Sequence, residues 1–183
     1  MTNEQIENIT SRNAAWRVEL REGMSAKERT SLARGNMNEL DPKYRITCNE
    51  EVAQGLTLEQ AVHEATRCLD CPEPGCVQGC PVNINIPAFV KNVQRGDIDS
   101  AARVLKLTSA LPAVCGRVCP QERQCESKCI YLKMKKQPVA IGWLERYAAD
   151  HGKTDEALQQ PSPPATRLPL LARAPQACRL PER

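Results

Sequence analysis

Eight of the ten cysteines in this chain stand in two short runs, and these runs have the clearest potential for chemistry. The first run has the spacing Cys-x2-Cys-x4-Cys-x3-Cys and the second Cys-x3-Cys-x5-Cys-x3-Cys, each with a Cys-Pro step. The eight positions are Cys68, Cys71, Cys76, Cys80, Cys115, Cys119, Cys125 and Cys129. Short spacings let neighbouring sulfurs converge on one metal centre, and a Cys-Pro step is typical of bacterial ferredoxins. Because eight thiolates suit two clusters of four irons, the sequence predicts two [4Fe–4S] clusters.

Two structural zinc sites are the alternative interpretation, because they would also use eight cysteines. Zinc modules usually pair two Cys-x2-Cys half-sites, whereas this chain has one such pair, Cys68 and Cys71. His63 and His151 lie outside both runs and are expected to be ordinary surface residues. The spacing therefore favours iron–sulfur clusters over zinc.

The composition indicates neither a nucleic-acid-binding nor a membrane protein. The net charge is only +3, and no basic stripe alternates with aromatic residues. The first ten residues are polar, and no apolar stretch approaches the roughly 20 residues that cross a bilayer. We therefore expect a cytoplasmic protein, in which thiols stay reduced and clustered cysteines bind metal. Two isolated cysteines, Cys48 and Cys178, are expected to be free thiols.

Helices are expected to position the two cysteine runs. The pattern Thr57-x2-Gln60 is a capping box that starts a helix leading into the first run. Further helices are predicted over residues 87–96, after the N-cap Asp97, and over residues 138–150. Their inward faces are expected to carry Phe89, Val90, Val93, Ile98, Ala101, Ala102, Leu105, Ile141, Leu144 and Ala148. Since no segment shows the alternation of a strand, the predicted fold is all-α.

The chain divides into three predicted parts. Residues 1–36 read as a polar N-terminal extension or docking arm, with an amphipathic helix around Ile6 to Leu20. Residues 37–150 form the helical domain that holds both clusters. Residues 151–183 are a Pro/Arg-rich tail, with six prolines, four arginines and one acid from Pro161 onward. Such a composition cannot bury a core, so the tail is expected to be disordered.

Several segments resemble the N-terminal iron–sulfur domain of the glutamate synthase small (β) subunit. The same domain occurs in dihydropyrimidine dehydrogenase and in NADH-dependent ferredoxin:NADP oxidoreductases. The resemblance rests on residues 37–45, 67–90, 115–129 and 141–150, which include MNELDPKYR and RCLDCPEPGCVQGCPVNINIPAFV. It covers about residues 37–150 and implies an α-helical ferredoxin fold with two [4Fe–4S] clusters.

The resemblance also implies which residues hold each cluster. One cluster would be bound by Cys68, Cys71, Cys76 and Cys129, and the other by Cys80, Cys119, Cys125 and Glu145. Counting thiolates favours Cys115 in place of Glu145, because a thiolate is the usual ligand of iron–sulfur iron. Both alternatives stay open on the sequence.

The resemblance further implies a role in electron transfer. In the family, electrons pass from NADPH to FAD and through the clusters to FMN in a partner. There, glutamine-derived ammonia and 2-oxoglutarate become glutamate. The expected partner is thus a flavoprotein domain or a large subunit like that of glutamate synthase.

The chain departs from the family after the helical domain. Relatives continue into a dinucleotide-binding domain, whereas this sequence has no Gly-x-Gly-x-x-Gly turn and no strand pattern to carry one. We expect the chain alone to lack the FAD and NADPH sites and to oxidise no NADPH. The alternatives to an electron-transfer role are a zinc-stabilised interaction module and a truncated fragment without function.

Overall fold

The computed structural model describes residues 1–154, which form a mostly helical fold. The helices are α1 (Asn3–Thr10), α2 (Ala15–Glu22), α3 (Ala26–Ser31), α4 (Pro42–Arg45), α5 (Leu58–Thr66), α6 (Gly75–Gln78), α7 (Ile86–Gln94), α8 (Ile98–Lys106), α9 (Pro112–Val118) and α10 (Ile141–His151). Three 3₁₀ turns span Gln121–Arg123, Glu126–Lys128 and Ile130–Met134. The predicted tail lies outside the described residues from 155 onward, as does Cys178. None of the described helices is long and apolar enough to cross a membrane.

The core lies where α7 and α8 pack against α5 and α10. Phe89, Val90 and Val93 of α7 are fully buried, as their predicted apolar face requires. Across the interface, Leu105 of α8 and Leu144 of α10 are also fully buried. Burying such side chains contributes roughly 1.5–3 kcal/mol each. The core thus joins the helices that flank both cysteine runs.

The predicted helix boundaries are largely confirmed. Thr57 and Gln60 form the expected capping box, and the Asp97 carboxylate accepts the Ser100 N–H at 3.0 Å. The helix predicted from Pro87 to Gly96 begins one residue earlier and ends at Gln94, and Gly96, whose φ is +81°, then lets the chain turn. Both helices and both caps therefore follow from local sequence.

The last helix begins at Ile141, three residues after the predicted start at Pro138. Residues 138–140 are held outside the helix by two buried side chains. Arg67 donates to the carbonyls of Gln137 and Pro138 at 2.7 and 3.1 Å, and Glu64 accepts the Ala140 N–H at 2.8 Å. These long-range contacts override the helix-starting preference of proline.

A small β-ribbon corrects the expectation of no strands. Strand β1 (Asn38–Glu39) pairs antiparallel with β2 (Ala53–Gly55). Strands of two and three residues are too short to show the alternation by which a strand is recognised. The fold class remains helical, as predicted.

The N-terminal segment packs onto the domain. The helix predicted around Ile6 to Leu20 is divided into α1 and α2 by a break at residues 11–14. Ile9 is 6% exposed within the core, and its carbonyl accepts a hydrogen bond from buried Asn92 at 2.9 Å. The domain boundaries at residues 36 and 150 stay predictions.

Candidate functional site

The two cysteine runs occupy loops that approach each other closely. The first run follows α5, passes through α6 and ends just after it, while the second begins in α9 and ends beyond the turn Glu126–Lys128. At Gly79 the loops come so near that a Cβ atom would lie 2.7 Å from the Gln124 carbonyl oxygen. Only glycine permits this approach of backbone to backbone. The two runs therefore lie side by side and can share ligands between two sites.

Four thiols surround a cavity of about 240 Å³. They belong to Cys68, Cys71, Cys76 and Cys129, which we call the first group. Apolar side chains of α7 and α10, among them Val90 and Ile141, complete the wall. At about 30 Å³ per water in the liquid, this volume exceeds the space of one ion and suits a multi-atom cofactor.

The electrostatics of the first group confirm that its thiols lie near one another. Burial raises the pKa of Cys71, Cys76 and Cys129, and the charge of Cys68 raises all three further. Hydrogen bonds from the backbone N–H groups of Val139 and Tyr131 lower the pKa of Cys129 and partly offset this effect. Thiolates so placed require positive charge nearby, and bound metal supplies it while deprotonating the thiols.

A second group lies where α9 and α10 meet. It contains Cys80, Cys119, Cys125 and Glu145, whose charges act on one another. Burial raises the pKa of Cys119, and the negative charges of Cys115, Glu145 and Cys80 raise it further. Burial likewise raises the pKa of Cys125 to about 12, with Cys80 and Glu145 among the smaller causes. The structure thus brings these side chains together, with Cys115 beside them.

Glu145 is the most unusual member of the second group. It is 6% exposed, burial raises its pKa to about 7, and its Oε1 atom has no hydrogen-bond partner within the described chain. The Arg117 guanidinium in α9 pairs with Glu51 and Asp150, at 2.8 Å each. A buried carboxylate needs a compensating cation, which an iron atom would provide.

Cys115 stays a candidate for the same position. Its thiol lies close enough to Cys119 to hydrogen-bond with it, and its Sγ is 3.9 Å from Ser109 Oγ. Gly116, the next residue, lets α9 approach α10 closely. A Cβ atom at this position would lie only 2.6 Å from the backbone nitrogen of Arg146, so a larger residue would clash. Cys115 and Glu145 therefore both lie near Cys119, on opposite sides of one helix contact.

The donor atoms do not form a site for a single ion. Within residues 1–154, no three His, Cys, Asp or Glu side chains are placed to hold one metal ion. The two histidines hydrogen-bond elsewhere, His63 to the Ala33 carbonyl at 3.1 Å and His151 to that of Tyr147 at 2.9 Å. The four thiols of the first group instead line one shared cavity.

A buried ion-pair network holds the first loop, and sequence analysis missed it. Asp70, between the first two cysteines, is fully buried with a φ of +53°. Its carboxylate accepts hydrogen bonds from Arg17 at 2.5 Å and Arg21 at 2.8 Å. Burial would raise the pKa of Asp70, but these hydrogen bonds hold it below its ordinary value. Nothing local in the sequence marks Asp70, because both partners lie about 50 residues away.

Replacing Asp70 with asparagine is expected to destabilise the cluster-loaded protein by about 3 kcal/mol. Asparagine keeps the shape and tolerates positive φ, but it leaves Arg17 and Arg21 without a carboxylate. Urea unfolding measures the change. The matched control is Glu51→Gln, whose side chain is 49% exposed in its pairs with Arg117 and Arg146 and should cost at most about 1 kcal/mol. Equal effects of the two substitutions would contradict a structural role for the buried network.

Comparison with known proteins shows the family of the region that carries both groups. Residues 45–157 match the family described as dihydropyrimidine dehydrogenase domain II, 4Fe-4S cluster. The matched range includes every cysteine of both runs and Glu145.

Curated relatives extend the match. The oxidoreductase UacF of Escherichia coli is described as putative and is 41% identical over 64% of this chain and 18% of its own length. The glutamate synthase [NADPH] small chain of Azospirillum brasilense is 37% identical over 61% of this chain and 23% of its own. The NAD-dependent dihydropyrimidine dehydrogenase subunit PreT of Escherichia coli is 35% identical over 55% of this chain and 24% of its own. The chain thus spans about a fifth of the length of these relatives, and it belongs to the [4Fe–4S] family of dihydropyrimidine dehydrogenase domain II.

Proposed function

We propose that this chain is an electron-transfer domain that holds two [4Fe–4S] clusters. The ligands of one are the first group, Cys68, Cys71, Cys76 and Cys129; those of the other are Cys80, Cys119, Cys125 and Glu145. The observation that supports this is the exchange between runs, by which Cys129 lies with the first run and Cys80 with the second. The exchange would connect two multi-atom sites within one small domain.

The chain's own residues would hold and shield the clusters. When bound, a [4Fe–4S] cluster accepts and releases one electron. The thiolates hold the iron, and backbone N–H groups near Cys76, Cys125 and Cys129 stabilise the sulfur charge. Val90 and Ile141 exclude water from the first site. These roles suit a relay of electrons without bond chemistry on a substrate.

We propose that the relay joins a flavin reduced by NADPH to FMN in a partner of the glutamate synthase type. The names of the relatives support this, since they include a glutamate synthase [NADPH] small chain and a dehydrogenase subunit. On this proposal the FAD and NADPH sites belong to another part of the parent enzyme, and the partner is a flavoprotein domain or large subunit. The glycine-rich turn that would bind a dinucleotide is absent from the printed sequence.

Anaerobic reconstitution is expected to load about eight iron and about eight acid-labile sulfide atoms per chain, the content of two clusters. The Cys76→Ser protein should lose about half of that iron, because Cys76 is a half-buried ligand of the first group. Cys48→Ser is the matched control and should keep full iron content, since Cys48 belongs to neither group. Iron and sulfide assays with visible spectra measure both.

Stoichiometric zinc without sulfide would overturn the proposed cofactor.

The proposal that the FAD and NADPH sites belong to another part of the parent enzyme has a separate test. The purified chain should carry no flavin and oxidise no NADPH until a flavoprotein partner is added. Recovery of the chain with stoichiometric FAD would contradict this part alone.

A further inference from the structure

Two buried cations beside the first group, Lys91 and Arg29, donate hydrogen bonds to no carboxylate of residues 1–154. Lys91 in α7 is 0% exposed, and its Nζ atom donates to the Cys68 carbonyl at 2.6 Å and to Gln94 Oε1 at 2.7 Å. Both acceptors are neutral. A buried ammonium is costly without a negative counter-charge, so its position needs an explanation.

Arg29 in α3 repeats the arrangement. It is 3% exposed and donates to the carbonyls of Leu20, Met24 and Thr66, and to Gln94 Oε1 at 3.3 Å. Lys91 and Arg29 therefore share one amide oxygen. Two like charges so close repel each other, which makes a nearby negative charge more necessary.

The carboxylate that acts on both cations, Asp70, is already paired with other residues. Asp70 accepts its hydrogen bonds from Arg17 and Arg21, and it acts on Lys91 and Arg29 only at longer range. Burial lowers the pKa of both cations, and the charge of the Cys68 thiolate is the largest influence that opposes this on each. Both cations thus lie within electrostatic range of the first group.

The second group has the opposite surroundings. Glu126, which is 4% exposed, raises the pKa of Cys125, and Glu145 raises those of Cys119 and Cys125. The cation on this side, Arg34, binds Glu126 at 3.0 Å. Buried charge around the second group is therefore acidic or paired, whereas that around the first includes two unpaired cations.

We propose that Lys91 and Arg29 provide the counter-charge for a cluster at the first group and raise its reduction potential above that of a cluster at the second. The proposal depends on the proposed function, namely that both clusters bind. Reduction adds one negative charge to a cluster, so buried cations stabilise the reduced form more than the oxidised form. An electron that enters the domain would then reside at the first group.

Gln94→Glu is the mildest test, because it keeps the shape of the side chain and places a carboxylate between the two cations. The reconstituted full chain is titrated with a reductant, and electron paramagnetic resonance follows each cluster. The midpoint potential of the cluster signal with the higher potential should decrease. We expect at least a tenfold decrease in its reduced-to-oxidised ratio at fixed potential, equivalent to about 59 mV for one electron. The lower-potential signal should move less.

Lys91→Met removes one cation and should shift the same signal in the same direction. Lys91→Arg keeps the charge and should leave it in place. Lys133→Met is the control, because Lys133 also lines the cavity but is exposed, so that water screens its charge.

A Gln94→Glu protein with full iron content and unchanged signals would overturn the proposal, as would a shift confined to the lower-potential signal. Loss of iron from both the Gln94→Glu and the Lys91→Met proteins would also contradict it. The two cations would then be needed to bind the cluster, and not to raise its reduction potential. Failure of the proposed function is distinguishable, since the wild-type chain would then show no pair of cluster signals at all.

Discussion

Removing iron from the reconstituted protein is expected to abolish most of its helical circular dichroism. The proposed ligands join residues 68–80 to residues 119–145, so that cluster binding would connect both loops to the last helix. Without metal, the thiols of Cys76 and Cys125 are held neutral by their raised pKa values, and the buried Oε1 atom of Glu145 has no hydrogen-bond partner within residues 1–154. Because a preformed site rarely exists in an unfolded chain, the free energy of metal binding becomes free energy of folding.

The composition of the core supports this dependence. Aromatic residues make up only 3% of the chain, and the sole phenylalanine is Phe89. Several of the largest fully buried side chains are charged, including Arg67, Lys91 and Glu64. A core with few aromatic side chains and several buried charges limits the apolar area that packing can bury.

The measurement is far-ultraviolet circular dichroism before and after anaerobic chelation, with a thermal melt of each sample. Reloading iron and sulfide should restore the signal, which separates loss of the cofactor from irreversible damage. The Cys48→Ser protein is the control, because it should behave as wild type in every step. A chelated sample with its full helical signal and a cooperative melt would contradict the prediction.

Local patterns were sufficient for much of the fold. The capping box at Thr57 and the cap at Asp97 each use a side chain and a backbone N–H three residues apart, so the sequence shows both partners at once. The buried face of α7 likewise follows from helical spacing. The later start of α10 could not be predicted, because it depends on Arg67 and Glu64, which lie more than 70 residues away.

The candidate site likewise has features that local sequence predicts and features that depend on long-range contacts. Spacing was sufficient to predict two groups of metal ligands, whereas the exchange that places Cys129 in the first group and Cys80 in the second was implied by the family resemblance and stays a prediction. That exchange depends on the close approach of the two loops at Gly79, which is a tertiary contact. The buried charges Asp70 and Lys91 were missed for the same reason. The counter-charges of Asp70 are Arg17 and Arg21, which lie in a distant segment of the chain. The counter-charge proposed for Lys91 is a bound cluster, which the sequence does not contain.

Glu145→Ala is expected to reduce the iron content from about eight to about four atoms per chain, through loss of one cluster. The carboxylate is 6% exposed, its Oε1 atom has no hydrogen-bond partner in the described structure, and it lies near Cys119 and Cys125. Ligation by a carboxylate requires the ionised form. Since burial alone raises the pKa of Glu145 to about 7, iron would have to stabilise the charge that the apolar site disfavours.

Cys115→Ser tests the competing ligand and should keep both clusters. The Cys115 thiol lies 3.9 Å from Ser109 Oγ and beside Cys119, so serine would fill nearly the same space while offering iron a poorer donor. Glu145→Gln adds a third comparison. An amide oxygen in the same position should retain the cluster with a changed electron paramagnetic resonance signal, whereas a purely structural role for Glu145 would leave that signal unchanged. Loss of a cluster in Cys115→Ser, together with full iron content in Glu145→Ala, would show that the eighth ligand is the thiolate. The carboxylate would then be buried beside the cluster without binding it.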